Sequence, residues 1–187
     1  MRCAGRACAR WGAACRPGQP TRGDGHQRLQ ALALRALPRC RPAACRPGRQ
    51  GLRGVNFSGA KLARANLRSA NLAGAVLDGA DLTAVQAYAL NAPGASFKNA
   101  RLVGANLAQA RMFRADLSGA DLTGASLEAA RLNLVWFVGT QLINAELQEA
   151  KFVGSNLLNA DMDGAHLRYT IFPDANLQGC KACPKDW

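Results

Sequence analysis

Residues 55–84 read VNFSG AKLAR ANLRS ANLAG AVLDG ADLTA when cut every five residues. Each block opens on a small apolar residue and follows it with a variable one, often Asn or Asp. A large apolar residue holds the centre, and two small or polar residues close the block. The pattern resumes at 95–134 as ASFKN ARLVG ANLAQ ARMFR ADLSG ADLTG ASLEA ARLNL and reaches ANLQG at 175–179 without a slip of frame. Between Leu52 and Leu177 there are 26 centres: seventeen Leu, five Phe, two Met, and the two exceptions Ala87 and Ala92. Two residues before the centre, 18 of the 26 positions are Ala.

A helix cannot use this period. Five residues carry a helix about 140° past a full turn, so the large residues would wander over every face. Residues two apart do share one face of an extended segment. Each block is therefore expected to be a short extended piece with its small and large apolar residues facing inward, followed by a corner. Gly fills twelve of the 26 positions two after the centre, which suits a tight bend. Asn or Asp just before the centre can accept a hydrogen bond from the turn that follows. One block buries nothing alone, whereas stacked coils bury a continuous core.

The A(N/D)L blocks beginning at 65, 70, 80, 105, 115, 120 and 175 resemble the pentapeptide-repeat family. The resemblance implies an all-β fold, a right-handed quadrilateral parallel β-helix with four blocks per coil. Twenty-six blocks then make about six and a half coils, and residues twenty apart stack in ladders. In the VQAYA LNAPG segment at 85–94 both large centres are lost while the frame is kept. Either these residues loop out, or they form a retained but distorted coil with Leu90 or Tyr88 filling the space; their apolar content favours the coil.

The outer positions follow the same register. One side reads Lys61, Asp81, Arg101, Asp121, Gln141, Asp161, an alternation of charge expected to support the stack. The adjoining side stacks Arg111, Arg131 and Lys151, like on like, with Arg114 close by. Around it, Phe113, Val153, Trp136, Val138 and Leu158 occupy outward positions, and Leu134 sits at the corner. Apolar groups beside a basic ladder mark the candidate contact surface. The bland alternative is a half-solvated face whose charge is relieved by acidic neighbours such as Glu149.

Charge and cysteine divide the chain further. Residues 1–53 carry twelve Arg against Asp24 alone, whereas residues 54–187 carry twelve basic and eleven acidic side chains. The basicity thus belongs to an Arg/Cys/Pro-rich leader, residues 1–50, that is expected to be disordered or not part of the working protein. Its composition also allows nucleic-acid binding through the Arg residues, or a targeting role that would make the protein exported or organellar rather than cytoplasmic. Five of the seven Cys lie in this leader, including the Cys40–Cys45 pair, which lacks companion ligands at zinc-site spacing. Cys180 and Cys183 open the end-piece 180–187 beyond the array of 51–179. They are the only candidate metal ligands outside the leader, and without a second ligand pair an end cap is the expected role.

Nothing points to catalysis or a cofactor. His26 is in the leader, His166 stands outward without a matched partner, and no Gly-rich phosphate loop opens a helix. No apolar run approaches the ~18 residues of a membrane span. The function expected is a non-enzymatic scaffold that binds an unidentified protein through an outer side. The family resemblance implies an alternative, since some members imitate duplex DNA and protect type II topoisomerases from quinolones. That role needs a strongly negative rod, and this array is near neutral.

Overall fold

The structure, a computed structural model, describes residues 52–184. The leader, with its Cys40–Cys45 pair, and residues 185–187 lie outside the described residues, and with them the expectations of disorder, targeting and nucleic-acid binding.

Every block pairs with the block twenty residues on. Parallel bridges join Asn56 to Val76, Lys61 to Asp81, Asn66 to Gln86, Asn71 to Asn91, and so on without interruption to Asp161 and Lys181. Four bridge columns mean four sides. Within a pairing, the centre residue donates its N–H forward and the residue before the next centre donates back: Leu62 N–H to Asp81 O at 2.7 Å, Asp81 N–H to Ala60 O at 2.9 Å. At roughly 4.8 Å between paired strands, about six and a half coils give a rod some 30 Å long.

The corners follow from one backbone requirement. The residue two after every centre has positive φ, from Gly54 at 64° to Gly179 at 67°. The residue after it donates back to the centre carbonyl, as Ala65 N–H does to Leu62 O at 3.0 Å. A hydrogen-bonded turn with positive φ at its third residue is the arrangement of a type II turn. Gly takes this conformation at no steric penalty, but Arg64, Ala84, Leu134 and Tyr169 adopt it too. The expected turn capping is also present. Asp81 accepts the Thr83 N–H at 3.1 Å, Asn106 that of Ala108 at 3.2 Å and Asp121 that of Thr123 at 3.1 Å.

The interior is filled by the two inward positions of each block. From Ala60 to Met162 every centre and every small slot but Ala65 is buried, with Phe97, Phe137 and Phe152 among the largest side chains. Phe152 stacks on Phe172 with ring centroids 4.8 Å apart. Three small slots hold hydroxyls instead of Ala. Thr140 donates to Leu117 O at 2.8 Å, Thr170 to Leu147 O at 2.6 Å, and Ser155 Oγ to Leu132 O. Ser155 Oγ also accepts the Val135 N–H at 3.2 Å, inserting itself into that corner. Buried hydroxyls so paired carry no desolvation penalty of an unmet polar group.

Residues 85–94 form a coil, not a loop. Gln86 and Asn91 bridge forward to Asn106 and Arg111, and the corners are of the usual kind. The expected distortion shrinks to one lengthened turn bond, Ala95 N–H to Ala92 O at 3.4 Å. The coil survives because size is exchanged between the two inward positions. Val85 and Leu90, in slots that are elsewhere mostly Ala, are 1% exposed beside the undersized centres Ala87 and Ala92. Tyr88 does not fill the space; it is 40% exposed and donates its hydroxyl to Gln109 Oε1 at 2.7 Å.

At the far end the frame runs two residues further than the array boundary at 179. Lys181 bridges to Asp161 and closes ion pairs with Asp161 at 3.1 Å and Asp163 at 3.4 Å. Ala182, the next centre by count, is exposed with positive φ. Cys183 takes its place, packing on the core with Sγ 3.1 Å from Met162 Sδ. Cys180 and Cys183 are joined as a disulfide.

A candidate interaction surface

The basic ladder exists as a bridge column. Asn91 pairs with Arg111, Arg111 with Arg131, Arg131 with Lys151, and Lys151 with Ile171. All three cationic residues are exposed. Their spacing follows from the twenty-residue coil, so the like-charge contact is built into the backbone. No carboxylate of the described residues comes within 4.0 Å of any of them. Glu149 makes no such pair.

The other candidate residues divide between two grooves and a neighbouring corner. Arg111 and Arg131 border a shallow depression with Asn91, Gln109, Ala89 and Ala129. Arg114, Leu134 and Trp136 line a second groove of about 510 Å³ together with Gly154, Asn156, Asp174 and Asn176. Phe113 is 46% exposed beside it, and the Arg114 guanidinium lies 5.2 Å from the centre of its ring. Val153 is half-buried at the same corner, while Val138 and Leu158 are half-buried at the next corner along.

Leu134 is the odd residue of this group. Its φ is 56° and it is 40% exposed, so both its backbone and its side chain are in unfavourable states. Its Cδ2 would stand 2.8 Å from a Cβ added at Gly154. The bare glycine lets the Leu134 side chain settle against the corner of the next coil, in the space a Cβ at 154 would need. Trp136 forms the adjoining wall and is 53% exposed. Behind this corner, Asn133 Oδ1 is the one buried side-chain polar atom without a hydrogen-bond partner among the described residues.

Carboxylates border the same region. Asp116 bridges to Trp136, accepts the Ser118 N–H at 3.0 Å and pairs with Lys98 at 3.1 Å. Burial pushes its acidity upward in pKa, but the Ser118 bonds and Lys98 outweigh this and hold the carboxyl below the ordinary carboxylate range. Asp174 stands at the far end of the groove.

Five groove residues were missed from sequence: Gly154, Ser155, Asn156, Asp174 and Asn176. Counting twenty and forty residues forward from Leu134 and Trp136 would have found all of them but Ser155. Three further exposed apolar residues, Tyr88, Tyr169 and Ile171, were also missed. His166, expected to stand alone, has a partner one coil back, with Nδ1 2.8 Å from Glu146 Oε1. No group of three or more His, Cys, Asp or Glu side chains is placed to hold a metal among the described residues. No helix there is long and apolar enough to cross a membrane.

Comparison with known proteins adds the family. No curated protein matches the chain. Among solved structures, the chain is similar to Rfr23, a pentapeptide repeat protein from the cyanobacterium Cyanothece, at 20% identity and a TM-score of 0.47, covering 69% of this chain and 88% of that one. It is similar to trypsin-treated QnrB1, a plasmid-mediated fluoroquinolone resistance protein, at 22% identity and a TM-score of 0.40 over 69% and 77%. It is similar to HetL, a pentapeptide repeat protein involved in heterocyst differentiation regulation in Nostoc, at 21% identity and a TM-score of 0.29 over 80% and 95%. The family model described as pentapeptide repeats, in 8 copies, matches residues 52–85, 94–128 and 145–181. It skips 86–93, where size is exchanged between inward positions, and 129–144, which holds Leu134, Val135, Trp136 and Thr140. With more than half of its length matched, the chain belongs to the pentapeptide-repeat family, whose fold is the right-handed β-helix.

Proposed function

We propose that this chain is a non-enzymatic scaffold that binds another macromolecule through the corner between the basic ladder and the Trp136 side. The observation that carries the reading is the ladder itself. Arg111, Arg131 and Lys151 stack like on like without a carboxylate of the described residues within 4.0 Å. Side chains directly opposite with the same charge destabilise a sheet by a few tenths of a kcal/mol or more per pair. A surface that bears this beside the exposed Phe113, Leu134 and Trp136 has the make-up of a contact site, with aromatic and Arg anchors together. Duplex mimicry gains no support, since the mimic must present negative charge where this side presents positive.

The test is capture by crosslinking from cell extract, comparing the full chain with an Arg111→Glu/Arg131→Glu variant. Both changes are at exposed outward positions, so the melting temperature should hold. A macromolecule captured by the parent and lost from the variant supports the reading. Equal capture by both removes it.

A further inference from the structure

Two rows run side by side along the rod at this corner. Arg111, Arg131 and Lys151 form the first, one cation per coil. Two or three residues further along each coil stand Phe113, Leu134 and Val153, which form the second. Phe113 and Leu134 are exposed, Val153 is half-buried, and Trp136 stands exposed beyond Leu134. The backbone sets the step within the basic row at roughly 4.8 Å, the distance between paired strands. Asn91 and Ile171 flank the three cations, so the row spans about 10 Å along the axis. Three residues of chain at most separate the two rows, a reach of no more than about 10 Å.

A partner that uses both rows must present acids and apolar groups in two parallel lines with a step of about 5 Å. An extended peptide lying along the rod cannot. Its side chains alternate between opposite faces, so a single line meets the surface, with a step of roughly 6.6 Å. An α-helix can. Residues three and four apart lie about 5–6 Å from each other on one face, and seven residues rise about 10.5 Å. Carboxylates at i, i+3 or i+4, and i+7 thus match the three cations in number and length. The adjoining stripe of the same helix faces the apolar row. With its side chains a helix is about 10–12 Å across, enough to cover both rows.

Other occupants meet conflicts of charge. Residues 1–51 of the chain would bring eleven Arg and a single Asp toward a ladder of cations. In a second copy of the array, the bridge columns of the described residues hold no adjacent stacked carboxylates; the acids of the Lys61–Lys181 column alternate with Arg101 and Gln141. A nucleic acid stacked on Trp136 would carry its phosphates past Asp116, which bridges directly to Trp136, and past Asp174.

We propose that this corner docks an acidic amphipathic helix of a partner polypeptide, lying along the rod with carboxylates on Arg111, Arg131 and Lys151 and apolar side chains on Phe113, Leu134 and Trp136. This rests on the surface reading of the preceding section and names the form of the partner. The apolar stripe anchors such a helix, and the charges set its register and the choice of partner.

The test uses a displayed library of random eighteen-residue peptides selected on the full chain. Selected peptides should carry acids recurring every three or four residues beside a stripe of apolar residues. The best binder is then titrated by fluorescence anisotropy against the parent, Arg111→Glu/Arg131→Glu, Phe113→Ala and Leu134→Asn. Asn already stands at positive φ over a glycine one coil on at Asn99, Asn144 and Asn159, so Leu134→Asn over Gly154 keeps the corner. Each variant should weaken binding by about tenfold or more. A proline at the centre of the peptide should do the same, and the helical circular-dichroism signal of the mixture should exceed the sum of its parts. Peptides that tolerate the proline and gain no helix on binding overturn the proposal. If charge reversal still abolishes their binding, the broader surface reading stands while this one fails. Apolar-row variants that bind like the parent, or a selection that yields no peptide dependent on the ladder, overturn it as well, and the capture experiment above then decides the surface reading separately. Tighter binding of a twenty-nucleotide oligothymidylate than of any selected peptide overturns the polypeptide partner.

Discussion

The side-chain carbonyl of Asn99 lies over Gly119, one coil further on, within the space that a Cβ at 119 would need. The same relation joins Asn144 to Gly164 and Asn159 to Gly179. These are the only three Asn residues at positive-φ corners among the described residues, and each is followed twenty positions later by Gly. At the other corner glycines except Gly154, no atom outside the immediate chain neighbours comes within 4 Å of the built Cβ. Two different demands therefore place glycine in this array: the left-handed corner, met also by many other residues, and the close approach of an Asn amide.

The two demands separate by mutation. Gly119→Ala and Gly104→Ala face nearly the same backbone strain, with φ of 68° and 62°. That strain costs each of them about 1 kcal/mol. Only Gly119→Ala also pushes into the Asn99 amide. Urea unfolding should show Gly119→Ala less stable than Gly104→Ala by about a further 1 kcal/mol. Adding Asn99→Ala should remove most of that excess, because the double-mutant cycle then contains no clash. Equal losses at 104 and 119 would refute the distinction.

The exchange of size at 85–94 makes a second case. Leu90 is 1% exposed and lies in a slot usually held by Ala, with Ala87 and Ala92 as undersized centres. Leu90→Ala should leave a cavity that no neighbour can fill, and cost about 3 kcal/mol or more. Restoring the ordinary block with Leu90→Ala/Ala92→Leu should recover at least half of that loss in thermal melts. A double variant no more stable than the single one would mean that the two positions do not share a volume.

How far the sequence carried the structure follows from what each residue type controls. The period of five and the small-large alternation place the inward positions, the corners and the Asx capping, while the four blocks per coil, and with them the twenty-residue ladders, came from the family resemblance. Rotamer choices were not readable. Lys61, Asp81, Arg101 and Asp121 do stack as the alternation implies, but the carboxylates of Asp81 and Asp121 are turned to the N–H groups of Thr83 and Thr123. Of that column, only Asp161 closes an ion pair, with Lys181. The turn N–H is a fixed donor two residues away, while a cation must order a long side chain to compete. The groove was half-readable for the same reason: outward positions follow from the frame, but the lie of the Leu134 side chain over Gly154 does not.

Ser155 gives a third prediction. Its hydroxyl stands between Leu132 O and the Val135 N–H, in place of the direct bond that closes most other corners. Ser155→Ala removes a partner from two buried backbone groups at once. The corner can recover part of this by closing its own bond, so a loss of about 1–2 kcal/mol is expected in denaturant unfolding. Ser155→Thr keeps the hydroxyl, as Thr140 and Thr170 do in equivalent slots, and should retain most of the stability. A Ser155→Ala protein as stable as the parent would show that the corner does not need the hydroxyl.

The last prediction concerns pH, and its sign differs at the two ends of the scale. The Asp163 N–H holds the Asp161 carboxyl below the ordinary carboxylate range; burial opposes this, and Lys181 adds to the lowering. The Thr83 hydroxyl and N–H do the same for Asp81, helped by Arg101 and Lys61. Asp161 in turn, with Asp163, raises the Lys181 ammonium above its ordinary value. A carboxyl that is more acidic when folded stabilises the fold above its unfolded pKa, and that contribution disappears as pH falls through the folded value, below about pH 4. An ammonium that is less acidic when folded stabilises below its unfolded pKa and loses this as pH climbs through the folded value, above about pH 10. These groups should therefore leave stability flat from about pH 5 to 9 and remove it at both extremes. Asp161→Asn tests the coupling, because it deletes one acid-limb group and one partner of Lys181 together. Melting curves from pH 2 to 11 should show both limbs shallower in the variant, and a change confined to the acid limb would mean that Lys181 is held by Asp163 alone.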